Sequence, residues 1–166
     1  MTYYMKYLSP VGILLLTCEN DALTGLWMNK EPEKGMVPDA AHPVLCKAAV
    51  WLDGYFEGRA EPVPVSLAPS GTAFQQRVWK RLLQIPYGYV ITYGDIAREM
   101  EGETGRKMSA QAVGGAVGSN SISIVIPCHR VVGAGGKLIG YAGGLDKKIW
   151  LLRHEGWEGV KKHDHQ

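Results

Sequence analysis

A cysteine and a histidine stand side by side in the segment SISIVIPCHRVVGAGG, after a short apolar run and a proline. Cys128 could act as a nucleophile, but a thiol with a pKa of about 8.5 needs a nearby base or a favourable field to do so at neutral pH. Adjacent residues of an extended chain point to opposite faces. His129 can therefore serve Cys128 only if the chain bends between them or a water molecule bridges them.

A histidine that relays a proton is normally held by a carboxylate, which fixes its tautomer. Glu155, at the end of the predicted last helix, is the candidate for this role. A cysteine hydrolase would use the same two side chains and would turn over many times. It would also need an oxyanion hole and a histidine distant in sequence, and the adjacent Cys-His pair argues against it.

The segment Ser109 to Gly118 is a second unusual feature. At helical spacing, one face is apolar and the other carries Gln111 and three glycines, Gly114, Gly115 and Gly118. Each glycine costs about 1 kcal/mol relative to alanine in a helix, so three of them need a reason. Tight helix packing or a frayed helix is one explanation. The other explanation is a helix face without bulky side chains that fits into a narrow groove, such as the DNA minor groove. Gln111 would be the one long side chain on that face.

The elements of the first half are predicted as strands followed by a helix. The runs YYMKYL, GILLLTC and ALTGLWM are separated by turn signals and indicate three short strands. HPVLCKAAVWLDGYFEG has apolar residues at helical spacing. The proline-rich stretch RAEPVPVSLAPSG is typical of a linker, so we place a boundary near Ser70 and predict domains at 1–70 and 71–166.

The second half is predicted to be mostly helical. Helices are expected over TAFQQRVWKRLLQI, with Thr72 as N-cap, and over YGDIAREM, where Thr92 and Asp95 form a capping box. The polar turn EGETGRK then precedes the glycine-bearing helix, an arrangement that suggests a helix-turn-helix. A strand, SIVI, and a last helix, LDKKIWLLRHEG, follow, and the tail VKKHDHQ is expected to be solvated.

Composition and charge bound the class of protein. The 166-residue chain is long enough to bury a core without disulfides, and its three cysteines lack paired spacing, which indicates a reducing, cytoplasmic location. No membrane-spanning run is present, and no C-x-x-C partner supports a zinc site at His42 and Cys46.

The charge is distributed unevenly between the two halves of the chain. Residues 1–70 carry five Lys or Arg and eight Asp or Glu, whereas residues 71–166 carry thirteen Lys or Arg and eight Asp or Glu. The basic half favours an anionic partner, nucleic acid in particular.

A longer set of motifs accompanies the Cys-His pair between residues 71 and 157: GTAFQQRVW, IPYGYVITYGDIA, SAQAVGGAVGSN, IPCHRVV, GYAGG and WLLRHEG. In order and spacing this set closely resembles the O6-alkylguanine-DNA alkyltransferases, also called methylated-DNA–protein-cysteine methyltransferases. The resemblance implies an α/β fold, with a small amino-terminal antiparallel sheet and helix of ribonuclease H-like type. A mostly helical, winged-helix-like domain with a helix-turn-helix would follow.

The resemblance also implies a function, direct and irreversible DNA repair. An alkyl group would pass from O6 of guanine to Cys128 once per molecule, with O4 of thymine open as a second position, and no metal or organic cofactor would take part. The target nucleotide must first be flipped out of the duplex. The implied partner is double-stranded DNA carrying O6-alkylguanine, bound through the minor groove by a monomer with no membrane involved.

Residue roles carry over from the family position by position. Cys128 looks like the alkyl acceptor, His129 like a base acting through water, and Glu155 like the residue that holds its imidazole. Asn120 would brace the turn after the glycine-bearing helix, and Tyr93 would donate its hydroxyl toward the base and crowd the target phosphate. The DNA- and base-binding positions implied by the resemblance are Gln111, Ser109, Ala110, Ala112, Gly114, Arg130, Val131, Tyr141 and Ala142.

Backbone groups complete the implied base pocket, and two positions depart from the family pattern. Carbonyls of Cys128 and Val131 would accept from the exocyclic amine of guanine, and N–H groups near Tyr141 and Ala142 would donate toward O6. Gln111 stands where many members have an arginine that fills the gap left by the flipped nucleotide, so weaker support of that gap is expected. Ala142 replaces a serine of some relatives.

Two further functions fit parts of the pattern. A non-catalytic damage sensor of the alkyltransferase-like kind would have the same fold, but such relatives lack the acceptor cysteine that this chain has at Cys128. A helix-turn-helix regulator would favour long polar side chains on its second helix, which the glycine-bearing segment does not offer.

Overall fold

The computed structural model describes residues 1–159 and divides the chain between two units. Of the described residues, the first unit contains 1–70 and 121–125, and the second contains 71–120 and 126–159. The chain therefore leaves the second unit after Asn120 and re-enters it at Ile126. The tail VKKHDHQ, predicted to be solvated, lies outside the described residues.

An antiparallel meander of three strands forms the centre of the first unit, as predicted. Its strands are β1 (Tyr3–Ser9), β2 (Gly12–Glu19) and β3 (Ala22–Met28). Asn20 and Asp21 have φ values of 47° and 66° in the β2–β3 turn, a region that Asn and Asp enter more readily than other side chains.

Two short strands extend this sheet at its edges, β4 (Val37–Pro38) and β5 (Ser66–Leu67), in the order β4-β1-β2-β3-β5. Each pairs in parallel with its neighbour. The prediction of a linker at 59–71 was wrong for β5, because Ser66 and Leu67 pair with Ala22 and Leu23 and so belong to the sheet.

Helix α1 (Pro43–Phe56) packs on the sheet through Leu45, Leu52 and Tyr55, all of which are buried. Its N-cap is His42, whose Nδ1 accepts from the Val44 N–H at 3.2 Å, and the Cys46 thiol donates to the Ala40 carbonyl. His42 and Cys46, the two residues that a zinc site would have used, therefore have local structural roles.

The second unit is built from helices with strong local start signals. Helix α2 (Ala73–Leu82) begins at a capping box formed by Thr72 and Gln75, and α3 (Tyr93–Thr104) begins at one formed by Thr92 and Asp95. Helix α4 (Ala110–Gly118) is capped by Ser109, whose hydroxyl accepts from the Ala112 N–H. The last helix is α5 (Leu145–His154).

Helix α3 is longer than predicted. The segment EGETGRK was expected to be a turn, but the helix continues to Thr104. It ends there because Gly105 takes φ 72°, and its N–H donates to the Glu101 carbonyl at 2.8 Å, the glycine C-cap that commonly closes a helix. A shorter turn therefore separates α3 from α4 in the helix-turn-helix arrangement.

The predicted strand SIVI was wrong. Residues 123–125 form turns, and the isolated bridge to Leu26 is made by Ile122, just before this segment. Ile124 has φ 70°, a left-handed conformation that costs a non-glycine residue about 1–2 kcal/mol and that is not an extended backbone. The apolar side chains are still buried. The apolar run in the sequence therefore indicated burial correctly, but it did not indicate an extended backbone.

A two-stranded parallel pair, β6 (Ile91–Thr92) and β7 (Val131–Val132), positions the reactive segment. Thr92 caps α3 and pairs with Val132, while Cys128–Arg130 form a short 3-10 turn immediately before β7. The start of α3 and the Cys-His pair are thereby held in one part of the second unit. Among residues 1–159, none of the helices has the length and hydropathy needed to cross a lipid bilayer.

Candidate active site

Cys128 lies in the wall of a pocket of about 480 Å³ within the second unit. Its side chain is largely buried, with 6% of the residue exposed. Helix α4 provides one wall of the pocket and the segment 139–142 provides another. Of the predicted site residues, those that line it with Cys128 are Tyr93, Ala110, Gln111, Gly114, Asn120, Tyr141 and Ala142.

The bare face of α4 borders this pocket and is not used for tight packing. A Cβ added at Gly115 or Gly118 would meet nothing within 4 Å, and one at Gly114 would only touch the Tyr93 ring at 3.8 Å, an ordinary contact. The opposite face buries Val113, Ala116 and Val117. Crowding within the protein therefore does not account for the three glycines.

His129 and Glu155 form a buried pair, with their side chains 0% exposed. Nε2 of His129 lies 2.7 Å from Oε2 of Glu155. The 3-10 turn supplies the bend that an extended Cys-His pair would lack, and it directs His129 toward the end of α5. The carboxylate predicted from the sequence to hold the histidine is the one that the structure brings to it.

The protonation states of this pair follow from its surroundings. Burial lowers the pKa of His129 below its ordinary 6.5, partly opposed by Glu155. Burial alone would raise the pKa of Glu155, but interactions with His129 and Arg130 outweigh it and hold that pKa well below its ordinary 4.5. Glu155 is thus a carboxylate and His129 is neutral, so Nε2 carries the proton that Glu155 accepts. The other nitrogen, Nδ1, is buried without a hydrogen-bond partner among the described residues.

Arg130 does not line the pocket, although the resemblance implied a DNA- or base-binding role. Its side chain is 11% exposed, and its guanidinium donates to both oxygens of Glu155 and to the Ile85 carbonyl. The 3-10 turn is the physical reason for this placement, because it carries Arg130 to the same side as His129.

The field at Cys128 contains opposing contributions. Burial raises the pKa of the thiol above its ordinary 9.0, while hydrogen bonds from Asn120 and Tyr141 and the charge of Lys148 act to lower it. The groups that stabilise a thiolate are therefore present around a thiol that burial keeps protonated. Cys128 can therefore act as a nucleophile only if a base takes its proton.

Lys148 is the functional candidate that the sequence prediction missed. Its Nζ donates to the carbonyls of Val131, Ile139 and Gly140 at 2.7–3.3 Å and lies 5.8 Å from the centre of the Tyr93 ring. Burial lowers its pKa to about 8, partly opposed by Cys128. The lysine links β7 to the segment that forms one wall of the pocket, and its positive charge acts to lower the pKa of the Cys128 thiol.

The remaining predicted residues are distributed around these groups. Nδ2 of Asn120 donates to the Ile126 carbonyl at 2.8 Å, joining the two points where the chain leaves and re-enters the second unit. The Tyr93 hydroxyl donates to the Ile139 carbonyl at 3.4 Å.

The carbonyls of Cys128 and Val131 each accept one hydrogen bond already, from the Val131 N–H and from Lys148 respectively. A carbonyl oxygen has a second lone pair, which remains for a ligand. Ser109 and Ala112 lie at the start of α4 but do not line the pocket.

The arrangement defines a class of site: a buried cysteine nucleophile with a His-Glu pair, reached through a pocket beside the second helix of a helix-turn-helix. Among residues 1–159, no group of three His, Cys, Asp or Glu side chains is placed to hold a metal ion. A thiol, a neutral base and several hydrogen-bond donors can perform nucleophilic substitution at carbon without other groups.

Comparison with known proteins identifies the family. Residues 73–157 match the family model described as 6-O-methylguanine DNA methyltransferase, DNA binding domain, and residues 2–69 match that of the same enzyme's ribonuclease-like domain. The chain is 43% identical over 157 residues to the methylated-DNA–protein-cysteine methyltransferase of Methanosarcina acetivorans, covering 93% of this chain and 98% of that protein. It is 44% identical over 151 residues to that of Mycobacterium leprae, covering 89% and 88%.

A solved structure gives the same result. The crystal structure of Mycobacterium tuberculosis OGT in complex with DNA is 43% identical in sequence, with a TM-score of 0.83 and 92% of each chain covered. The chain therefore belongs to the 6-O-methylguanine DNA methyltransferase family, and it is a transferase. The predicted family and the predicted fold class, an amino-terminal sheet followed by a helical domain, are confirmed.

Proposed function

We propose that the protein repairs O6-alkylguanine in double-stranded DNA by moving the alkyl group to Cys128, once per molecule. The observation that carries this proposal is the position of Cys128 in a pocket that Gln111 and Gly114 of the bare α4 face also line. A nucleophile beside a helix surface free of bulky side chains suits a duplex lying against that surface. The relative from Mycobacterium tuberculosis whose structure contains DNA supports DNA as the partner.

Helix α4 enters the minor groove in this proposal, and Gln111 occupies the gap left by the flipped nucleotide. The minor groove is only about 6 Å wide, which excludes a helix face with long side chains but admits Gly114, Gly115 and Gly118. Extrusion of the base costs a few kcal/mol. The basic charge of residues 71–166 offsets part of this cost through contacts with phosphates.

The transfer step uses the groups already described. Cys128 gives its proton to Nδ1 of His129 through an intervening water while Sγ attacks the alkyl carbon. The Sγ–C bond forms, the C–O6 bond breaks, and the electron pair leaves with O6. The Tyr93 hydroxyl turns from the Ile139 carbonyl to donate toward the departing base, and the N–H groups at Tyr141 and Ala142 donate there as well. The proton taken from Cys128 returns to the guanine, so the products are an S-alkylcysteine and an unmodified base.

The functional domains of this proposal are residues 1–70 and 71–166, with the protein acting as a monomer in the cytoplasm. The amino-terminal domain contributes no residue to the pocket. The carboxy-terminal domain contributes both the helix-turn-helix and the acceptor cysteine.

A stoichiometric titration tests the proposal. Increasing amounts of a duplex with one O6-methylguanine are mixed with a fixed amount of protein, and restored guanine is measured by digestion and mass spectrometry. Because a thioether is not hydrolysed by any group near Cys128, repair should stop at one lesion per chain. Continued repair beyond one equivalent would indicate a turnover mechanism and would contradict the proposal.

A further inference from the structure

Arg130 is a firmly held cation of the second unit that the transfer step does not use. Its Nε donates to Oε1 of Glu155 at 2.8 Å and its Nη2 donates to Oε2 at 3.1 Å, a two-point contact with the carboxylate. Its Nη1 donates to the Ile85 carbonyl at 2.6 Å. All three guanidinium nitrogens are therefore bound within the protein, which leaves this side chain poorly placed to reach DNA.

Glu155 is consequently shared between two partners. Its Oε2 also faces Nε2 of His129 at 2.7 Å, and the Gly88 N–H donates to Oε1 at 3.3 Å. A buried carboxylate requires one compensating positive charge. Arg130 supplies that charge permanently, since a guanidinium does not lose its proton in proteins. Without Arg130, His129 would be the cation left to neutralise Glu155.

We propose that Arg130 is a positioning residue of the transfer reaction: its fixed charge neutralises Glu155 and so keeps His129 an uncharged proton acceptor for Cys128. This inference rests on the proposed function, because the proposed transfer step is what requires a proton acceptor for Cys128. A protonated His129 could not accept the proton of Cys128, because both ring nitrogens would then be donors. Arg130 therefore acts on Cys128 through Glu155 and His129 without touching the thiol.

The other charged and titratable groups around His129 act in both directions. Lys148 is a second positive group that disfavours an imidazolium, and Cys128 is the adjacent residue in the 3-10 turn. Tyr87 stacks near Arg130, at 5.8 Å from its guanidinium, and its hydroxyl donates to the His154 carbonyl. Glu155 is the carboxylate whose charge would protonate His129 if Arg130 were removed.

The test is an NMR titration of ¹⁵N-labelled imidazoles in the full-length protein without DNA, with His129→Gln to assign the signal. In Arg130→Gln, which can still hydrogen-bond Glu155 but has no charge, the pKa of His129 should rise by about one unit or more. Arg130→Lys restores the charge and should return most of the shift. Arg153→Gln removes an exposed arginine near the end of α5 and should leave the titration unchanged. Arg130→Met replaces the glutamine variant if that one does not fold.

The rate at which Cys128 reacts with iodoacetamide, measured by intact mass against pH, gives a second result. Its acid limb should move to higher pH in Arg130→Gln by the same amount as the His129 titration. An unshifted His129 titration and an unshifted pH profile in a folded, uncharged variant would overturn the proposal. Neither measurement uses damaged DNA. Failure of the wild-type protein to accept a methyl group, with the His129 shift present, would therefore count against the proposed function and leave the charge effect of Arg130 supported.

Discussion

Replacing glycines of α4 by alanine should make the protein more stable and, at one position, less able to act on DNA. Gly114 and Gly115 lie inside the helix, where alanine is favoured over glycine by about 1 kcal/mol. An added Cβ meets only the Tyr93 ring at 3.8 Å from position 114 and nothing within 4 Å from position 115. No steric cost therefore offsets the gain, and each substitution should raise the melting temperature by roughly 2–4 °C in a chain of this size.

The two variants should differ in activity, because Gly114 lines the pocket and Gly115 does not. Stability is measured by thermal and urea unfolding, and activity by the single-turnover rate with a duplex carrying O6-methylguanine. The reaction of Cys128 with iodoacetamide serves as a control that does not involve DNA. Gly114→Ala should slow transfer from DNA more than Gly115→Ala, with the iodoacetamide rate preserved in both. Destabilisation by either alanine of more than about 1 kcal/mol would show that the glycines serve packing, and the argument from a bare helix face would fail.

Two further predictions concern charge. Gln111→Arg should tighten binding to duplex DNA and steepen the dependence of log Kd on log salt by about 0.9, the value for one added phosphate contact; an unchanged slope in fluorescence anisotropy would place position 111 away from the duplex. Glu155→Gln should destabilise the protein at neutral pH, because the folded-state pKa of Glu155 lies below its ordinary 4.5. That stabilisation is present above about pH 4.5 and is lost as pH falls toward the folded-state pKa. The difference in unfolding free energy between wild type and Glu155→Gln should therefore shrink in acid, and a difference that grows in acid would contradict the assigned charge state.

The elements that sequence reasoning predicted well are those specified by local signals. Thr72 and Thr92 cap their helices as expected, and the glycine pattern of α4 identified the helix face that borders the pocket. These features depend on residues three or four positions apart. They could therefore be read without knowledge of the tertiary structure.

The elements that were missed depend on tertiary contacts. The run SIVI has the composition of a strand, but Ile124 adopts φ 70°, and the bridge to Leu26 is made by Ile122, just before the run. β5 is only two residues long and exists because β3 offers an edge. No local pattern distinguishes such a segment from a linker.

The sequence prediction of the site was incomplete for two cations. Arg130 follows the Cys-His pair and was predicted to bind DNA or the base, and its contact with Glu155, which the 3-10 turn makes possible, had no signal in the sequence. A lysine in an amphipathic helix is normally exposed, so Lys148 was not singled out. Its spacing of three and four residues from the buried Leu151 and Leu152 is a signal that could have indicated its buried position.

Sγ of Cys128 is the atom that receives the alkyl group in the proposed reaction. Intact-mass measurement, followed by peptide mapping, after one equivalent of O6-methylguanine duplex tests this directly, with Cys128→Ala as the control. One methyl group on Cys128, and none on the control, is the predicted result. A methyl group on Cys18 or Cys46, or an unmodified protein alongside repaired DNA, would contradict it.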